Sequence, residues 1–146
     1  MIVGRYKIVC MNLKSVISEL RDLNEEVPKP LRKPTEADIV KIEGILELTL
    51  HPDYRTFLLT AGDIVFGTFE PALALEQHSN LYIPNIAKEA WNQGVDRTLI
   101  PFCEDNGDYY CLTQNGIVEF WSHNGRTDER WDSLANWIKE VWIEEG

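Results

Sequence analysis

Three Asn-Gly pairs, Asn106-Gly107, Asn115-Gly116 and Asn124-Gly125, recur nine residues apart near the C-terminal end of the chain. Asn-Gly tolerates the positive φ angles of a type I′ turn, whose twist matches that of the two strands it joins. Between the turns, residues 108–113 and 117–123 are rich in aromatic and β-branched side chains, the composition of short strands. With residues 99–103 in front, the spacing predicts an antiparallel meander of at least three strands. Parallel strands need long crossover connections, so a Rossmann-like sheet is excluded by the same turns.

Upstream, the periodicity changes to that of helices. Leu13, Val16, Ile17 and Leu20 recur at helical spacing, which predicts a short amphipathic helix ending near Leu23. Pro28, Pro30 and Pro34 then predict a linker without regular structure over residues 25–34. Thr35 and Asp38 form a capping-box-like start for a helix whose apolar face is Ile39, Ile42 and Leu46. His51-Pro52 begins another, because proline costs little at the first helical position. Tyr54, Phe57, Leu58 and Ala61 line it, and Gly62 is expected to close it in the left-handed conformation. Residues 64–69 read as a strand. Ile83, Ile86, Ala87, Ala90 and Trp91 form a further helical stripe that Gly94 stops. Asp132 is expected to cap a last helix carrying Leu134, Trp137, Ile138 and Val141, with Trp131 beside it.

Helices, then consecutive hairpins, then a closing helix describe an α+β fold: one domain with a mostly antiparallel sheet flanked by helices. The charge divides the chain unevenly. Residues 1–33 carry seven basic and four acidic side chains, whereas residues 34–146 carry seven basic and twenty acidic ones. This separates a basic leader with a short helix and Pro-rich linker, residues 1–34, from an α+β body, residues 35–146. Met11 is an alternative start. A body of net charge −13 repels phosphate backbones, so direct nucleic-acid binding is not expected. It suits a basic protein partner. Cys10, Cys103 and Cys111 are odd in number and lack a CxxC pair, Met1–Cys10 has no apolar signal core, and no run approaches a membrane span. The expected compartment is the cytoplasm.

The chemistry-bearing residues form no recognisable catalytic pattern. Glycines outside the turns stand alone, without a phosphate-binding loop, and neither HExxH nor GxSxG occurs. His51, His78 and His123 with Cys103 and Cys111 lack the close ligand pairs that zinc sites draw on. His51 reads as a helix cap and the cysteines as small apolar strand residues, so no metal and no cofactor are expected. Glu104, Asp105 and Asp108 surround the first Asn-Gly turn, with Glu119 on the neighbouring strand beyond it. The calcium-loop series is absent, and a surface turn lacks the dry pocket that would separate two carboxylate pKa values for hydrolysis. The remaining readings are a solvated hairpin tip, or an acidic rim that contacts a basic protein. Tyr109, Tyr110, Phe120 and Trp121 lie on adjacent strands whose side chains alternate faces. One of each pair should enter the core, and a helix covering the second face would bury the others too.

The strings Thr35–Glu43, Pro52–Leu58 and Ile100–Leu112, followed by Gly116-Ile117-Val118, Trp121-Ser122-His123 and Ser133–Ile138, occur in an order that resembles the SUKH superfamily, the Smi/Knr-type proteins. The likeness covers about residues 35–140. Thr113, Ala61-Gly62 and His51 depart from its usual pattern. The resemblance implies an α+β domain with a mostly antiparallel sheet flanked by helices. It also implies a toxin-neutralising immunity protein, as in bacterial members that bind polymorphic toxins, many of them nucleases. Fungal members are associated instead with regulation of cell-wall synthesis through protein contacts. No shared catalytic apparatus is implied, so no catalytic residue is expected. The resulting expectation is a non-catalytic cytoplasmic domain that occludes a basic toxin domain with an acidic surface at Glu104, Asp105, Asp108 and Glu119. The alternative is a regulatory or scaffold module without a toxin partner.

Overall fold

The computed structural model describes residues 11–145; Cys10 and the rest of the segment before Met11 lie outside them. Four helices precede the sheet: α1 (Leu13–Asp22), α2 (Glu36–Leu46), α3 (Pro52–Ala61) and α4 (Ile83–Asn92). The strands β1 (Ile100–Asp105), β2 (Asp108–Leu112), β3 (Val118–Ser122) and β4 (Gly125–Trp131) follow in a sheet of order β1-β2-β3-β4, every pair antiparallel. A short helix α5 (Leu134–Trp137) then continues into a π-helical stretch, Ile138–Ile143. This is a mixed α+β domain, as the sequence pattern predicts. No helix among the described residues is long and apolar enough to cross a membrane.

The helix starts are set by local chemistry. The Thr35 hydroxyl accepts from the Asp38 amide while Asp38 Oδ2 accepts from the Thr35 amide at 2.8 Å, a complete capping box. That backbone bond is the main reason the Asp38 carboxyl titrates below its ordinary range. His51 caps α3 through Nδ1, which accepts from the Asp53 amide at 3.0 Å. α5 differs from expectation: Ser133, not Asp132, is its cap, the hydroxyl accepting from the Asn136 amide at 3.1 Å. Gly62 also differs, with φ −67 rather than a left-handed angle. Its need for glycine is steric, since a Cβ there would lie 2.5 Å from the Leu58 carbonyl oxygen and 3.0 Å from Pro34 Cδ.

Residues 64–69 form no strand. The Val65 amide donates to Asn24 Oδ1 and the Gly67 amide to a Glu25 carboxylate oxygen, so these donors are taken by side chains and no ladder builds. Only the first Asn-Gly pair is of type I′, with Asn106 at φ 53 and Gly107 at φ 92. At the other two only the glycine has positive φ. Gly116 additionally backs onto α3: a Cβ there would lie 2.7 Å from His51 Nε2. The edge of β1 is covered, because the Ala72 amide donates to the Phe102 carbonyl at 2.7 Å and Pro71 pairs with Cys103.

The sheet has two unlike faces. Trp137 sits on one, edge-on to Phe102 with ring centroids 4.8 Å apart and 5.1 Å from Tyr110. Tyr54, Phe57, Phe69 and Trp142 extend this cluster. Tyr109 points to the other face, its hydroxyl 3.5 Å from Glu89 on α4. Both tyrosines are therefore buried, since a helix covers each face of β2. α1 joins the same core through Val16, Ile17 and Leu20. It is clasped by Arg21, which makes two bonds to Asp63 at 2.7 and 2.8 Å, and by Glu19, which accepts from Lys139 at 2.8 Å. α1, in the described part of the basic leader, thus packs onto the body.

Candidate protein-binding surface

The tip of the β1–β2 hairpin gathers carboxylates from three parts of the chain. The Asn106-Gly107 turn sets Asp105 opposite Asp108. Glu104 folds back over it, Oε2 accepting the Gly107 amide at 2.6 Å. Among the described residues Asp105 has only a long contact from Asn106 Nδ2, at 3.4 Å. Beside them, a surface cavity of about 380 Å³ is lined by Thr68, Phe69, Glu70, Leu81, Glu104, Asp105 and Asn106. A smaller one of about 120 Å³ shares Leu81 and Glu104 and adds Glu89 and Tyr109. The acids reach the groups beneath them. Burial first, then Asp105 and Glu104, push the Cys103 thiol up to about 12, against a lowering hydrogen bond with the Glu70 backbone. Burial first, then Glu89 and Glu104, push the Tyr109 hydroxyl up to about 12.

The four acids expected from the sequence occupy two places. Glu104, Asp105 and Asp108 share the hairpin, and Asp108 joins it to the β3–β4 turn by accepting the His123 amide at 2.9 Å, with His123 Nδ1 3.1 Å away. Glu119 lies apart on the α4 side of the sheet, 8% exposed. Its carboxylate accepts from Arg126, Arg130 and the Trp121 indole, so it adds no free negative charge to a rim. Glu70 and Glu89 were not singled out by sequence reading. They come from a loop and from α4, and no local spacing links them to the hairpin.

The remaining chemistry is quiet. Cys103 pairs with Tyr110 and faces the aromatic cluster, whereas Cys111 lies on the opposite face opposite Glu119. Both are buried free thiols, and burial raises the Cys111 thiol as well, which keeps thiolate, the nucleophilic and metal-binding form, scarce at neutral pH. Among the described residues no three His, Cys, Asp or Glu side chains are placed to share a metal ion. The arrangement presents charge at a surface. It can attract and orient a cationic protein.

Comparisons with known proteins fit this architecture. A crystal structure of a protein from Pseudomonas syringae pv. tomato is 41% identical and superposes with a TM-score of 0.86, over 90% of this chain and 98% of that one. No curated protein matches the chain. The family model described as SUKH_5, SMI1-KNR4 cell-wall, matches residues 13–143, taking in α1 as well as the segment whose strings carry the resemblance. The chain belongs to the SMI1-KNR4 cell-wall family.

Proposed function

We propose that this protein is a non-catalytic binding domain of the immunity type, which neutralises a basic toxin domain by covering it with the acidic tip of the β1–β2 hairpin. The family is generally one of non-catalytic immunity or regulatory proteins, and membership implies protein–protein interaction. The observation that carries the reading is the convergence of Glu70, Glu104 and Asp105 around one open cavity, on a chain of net charge −10. A nuclease must hold cationic side chains against phosphates. Carboxylates at matching positions steer encounter with such a surface and fix its register, while the body of the domain blocks substrate by occupancy. Asp108 serves this surface by tying the two hairpin ends together. In this reading the protein works in the cytoplasm, against a toxin of nuclease type.

The family description, with its reference to the cell wall, favours a second reading in which the same surface serves a regulatory partner. A strain lacking the gene separates the two, since sensitivity to a toxin is the expected result and an altered envelope with no such sensitivity supports regulation. The toxin domain so identified is then titrated calorimetrically. Glu70→Lys with Asp105→Lys is expected to weaken binding about a hundredfold, as loss of two charge contacts at an interface implies. Affinity unchanged by both substitutions removes the acidic tip from the mechanism.

A further inference from the structure

Beyond α4 the sheet gathers two arginines of β4 at one carboxylate of β3. Glu119 lies opposite Arg130 and Trp121 opposite Arg126, so the four side chains share one face. Residues four apart on a regular strand stand about 13 Å from each other, and a bulge shortens that separation. Here the register slips between Glu119 and Trp121. Thr127 donates its hydroxyl to the Phe120 carbonyl at 2.7 Å and accepts the Glu129 amide at 3.2 Å, which folds the extra residues of β4 into a bulge. Bulges re-aim side chains and also blunt an edge strand against pairing. Arg126 thus reaches Glu119 through Nε and Nη2, both at 3.3 Å, and Arg130 through Nη1 at 3.1 Å. Trp121 Nε1 donates to the same carboxylate at 3.1 Å.

The count of charges is uneven. Within this cluster one carboxylate answers two guanidiniums, Asp128 and Glu129 of the same strand making no ion pair with either among the described residues, and the two arginine side chains are 47% and 44% exposed. Arg126 Nη1 and Arg130 Nε and Nη2 have no hydrogen-bond partner among the described residues. A guanidinium offers donors in a planar fork matched to a carboxylate. We propose that Arg126 and Arg130, aligned from beneath by Glu119 and Trp121, form a docking fork for a single carboxylate side chain of a partner protein. A nucleic-acid strand is disfavoured, because a polyanion meets the repulsion of the whole acidic body; one carboxylate on an otherwise basic surface does not. The fork stands apart from the acidic tip and does not require that tip to bind anything. Were both used, contacts of opposite sign at the two places would admit one orientation of the partner.

The test is an NMR titration of the full chain with the peptide Ac-Gly-Glu-Gly-NH2 at constant ionic strength, following the arginine Nε–H and Trp121 indole signals. Ac-Gly-Gln-Gly-NH2 and inorganic phosphate serve as comparisons. Saturable shifts confined to Arg126, Arg130 and Trp121 are expected with the glutamate peptide alone, weakened about fivefold in Arg130→Gln and less in Arg130→Lys, which keeps the charge and loses the fork. Glu119→Gln discriminates positioning from attraction. It removes a negative charge, so attraction alone would tighten binding, whereas a positioning residue predicts about fivefold weakening. Unchanged amide signals elsewhere establish that the variants are folded. Absence of saturable shifts, equal or tighter binding of phosphate, or tighter binding by Glu119→Gln overturns the proposal.

Discussion

On one face of the sheet Trp137, 1% exposed, packs among Phe102, Tyr110, Phe69 and Trp142, and among the described residues no ion pair enters. On the other face, beyond the reach of α4, Glu119 is held by two arginines and an indole. The first arrangement draws on burial of aromatic area, which salt does not screen. The second gains less, because ion pairs with half-exposed arginines are screened and ordering their side chains costs entropy, but it fixes where charges stand. The contrast separates the part of the molecule that keeps it folded from the part free to meet something else.

Three substitutions sharpen or break this contrast. Trp137→Ala removes the centre of the aromatic cluster and is expected to cost about 3–5 kcal/mol in denaturant unfolding; a loss no larger than that of a surface change would mean the cluster is not the main support. Glu119→Ala removes the shared acceptor while leaving both arginines able to reach water, so about 2 kcal/mol is expected. That gap should narrow in high salt while the Trp137→Ala gap does not, and parallel behaviour of the two would erase the distinction. The smallest effect is a gain. The Tyr54 hydroxyl is fully buried with no hydrogen-bond partner among the described residues, and burial raises its pKa strongly. Tyr54→Phe is therefore expected to stabilise by about 1 kcal/mol, and a loss would show that the hydroxyl is satisfied.

Much of the fold was legible because its signals are local. A capping box spans four neighbouring residues, a proline at a helix start acts on its own turn, and Asn106-Gly107 sets φ at the two residues that carry it. Where a segment's fate rests on partners far along the chain, local reading failed. Residues 64–69 have strand composition, yet Asn24 and Glu25 supply the acceptors and no strand forms. Three acids of the candidate surface were legible at the hairpin, since one turn holds them. Glu119 was legible as an acid but not as a neutralised one.

The residue pattern by itself determined the α+β class, the antiparallel meander and the faces of the helices, since hydrophobic period and turn chemistry act within a few residues. Only the tertiary structure decided which charges meet. Glu70 and Glu89 join Glu104 through loop and helix packing, and Arg126 and Arg130 close on Glu119 through a bulge. Coulombic contacts depend on distance in space, and neither a register slip nor the approach of a remote loop leaves a mark at any fixed spacing in the chain.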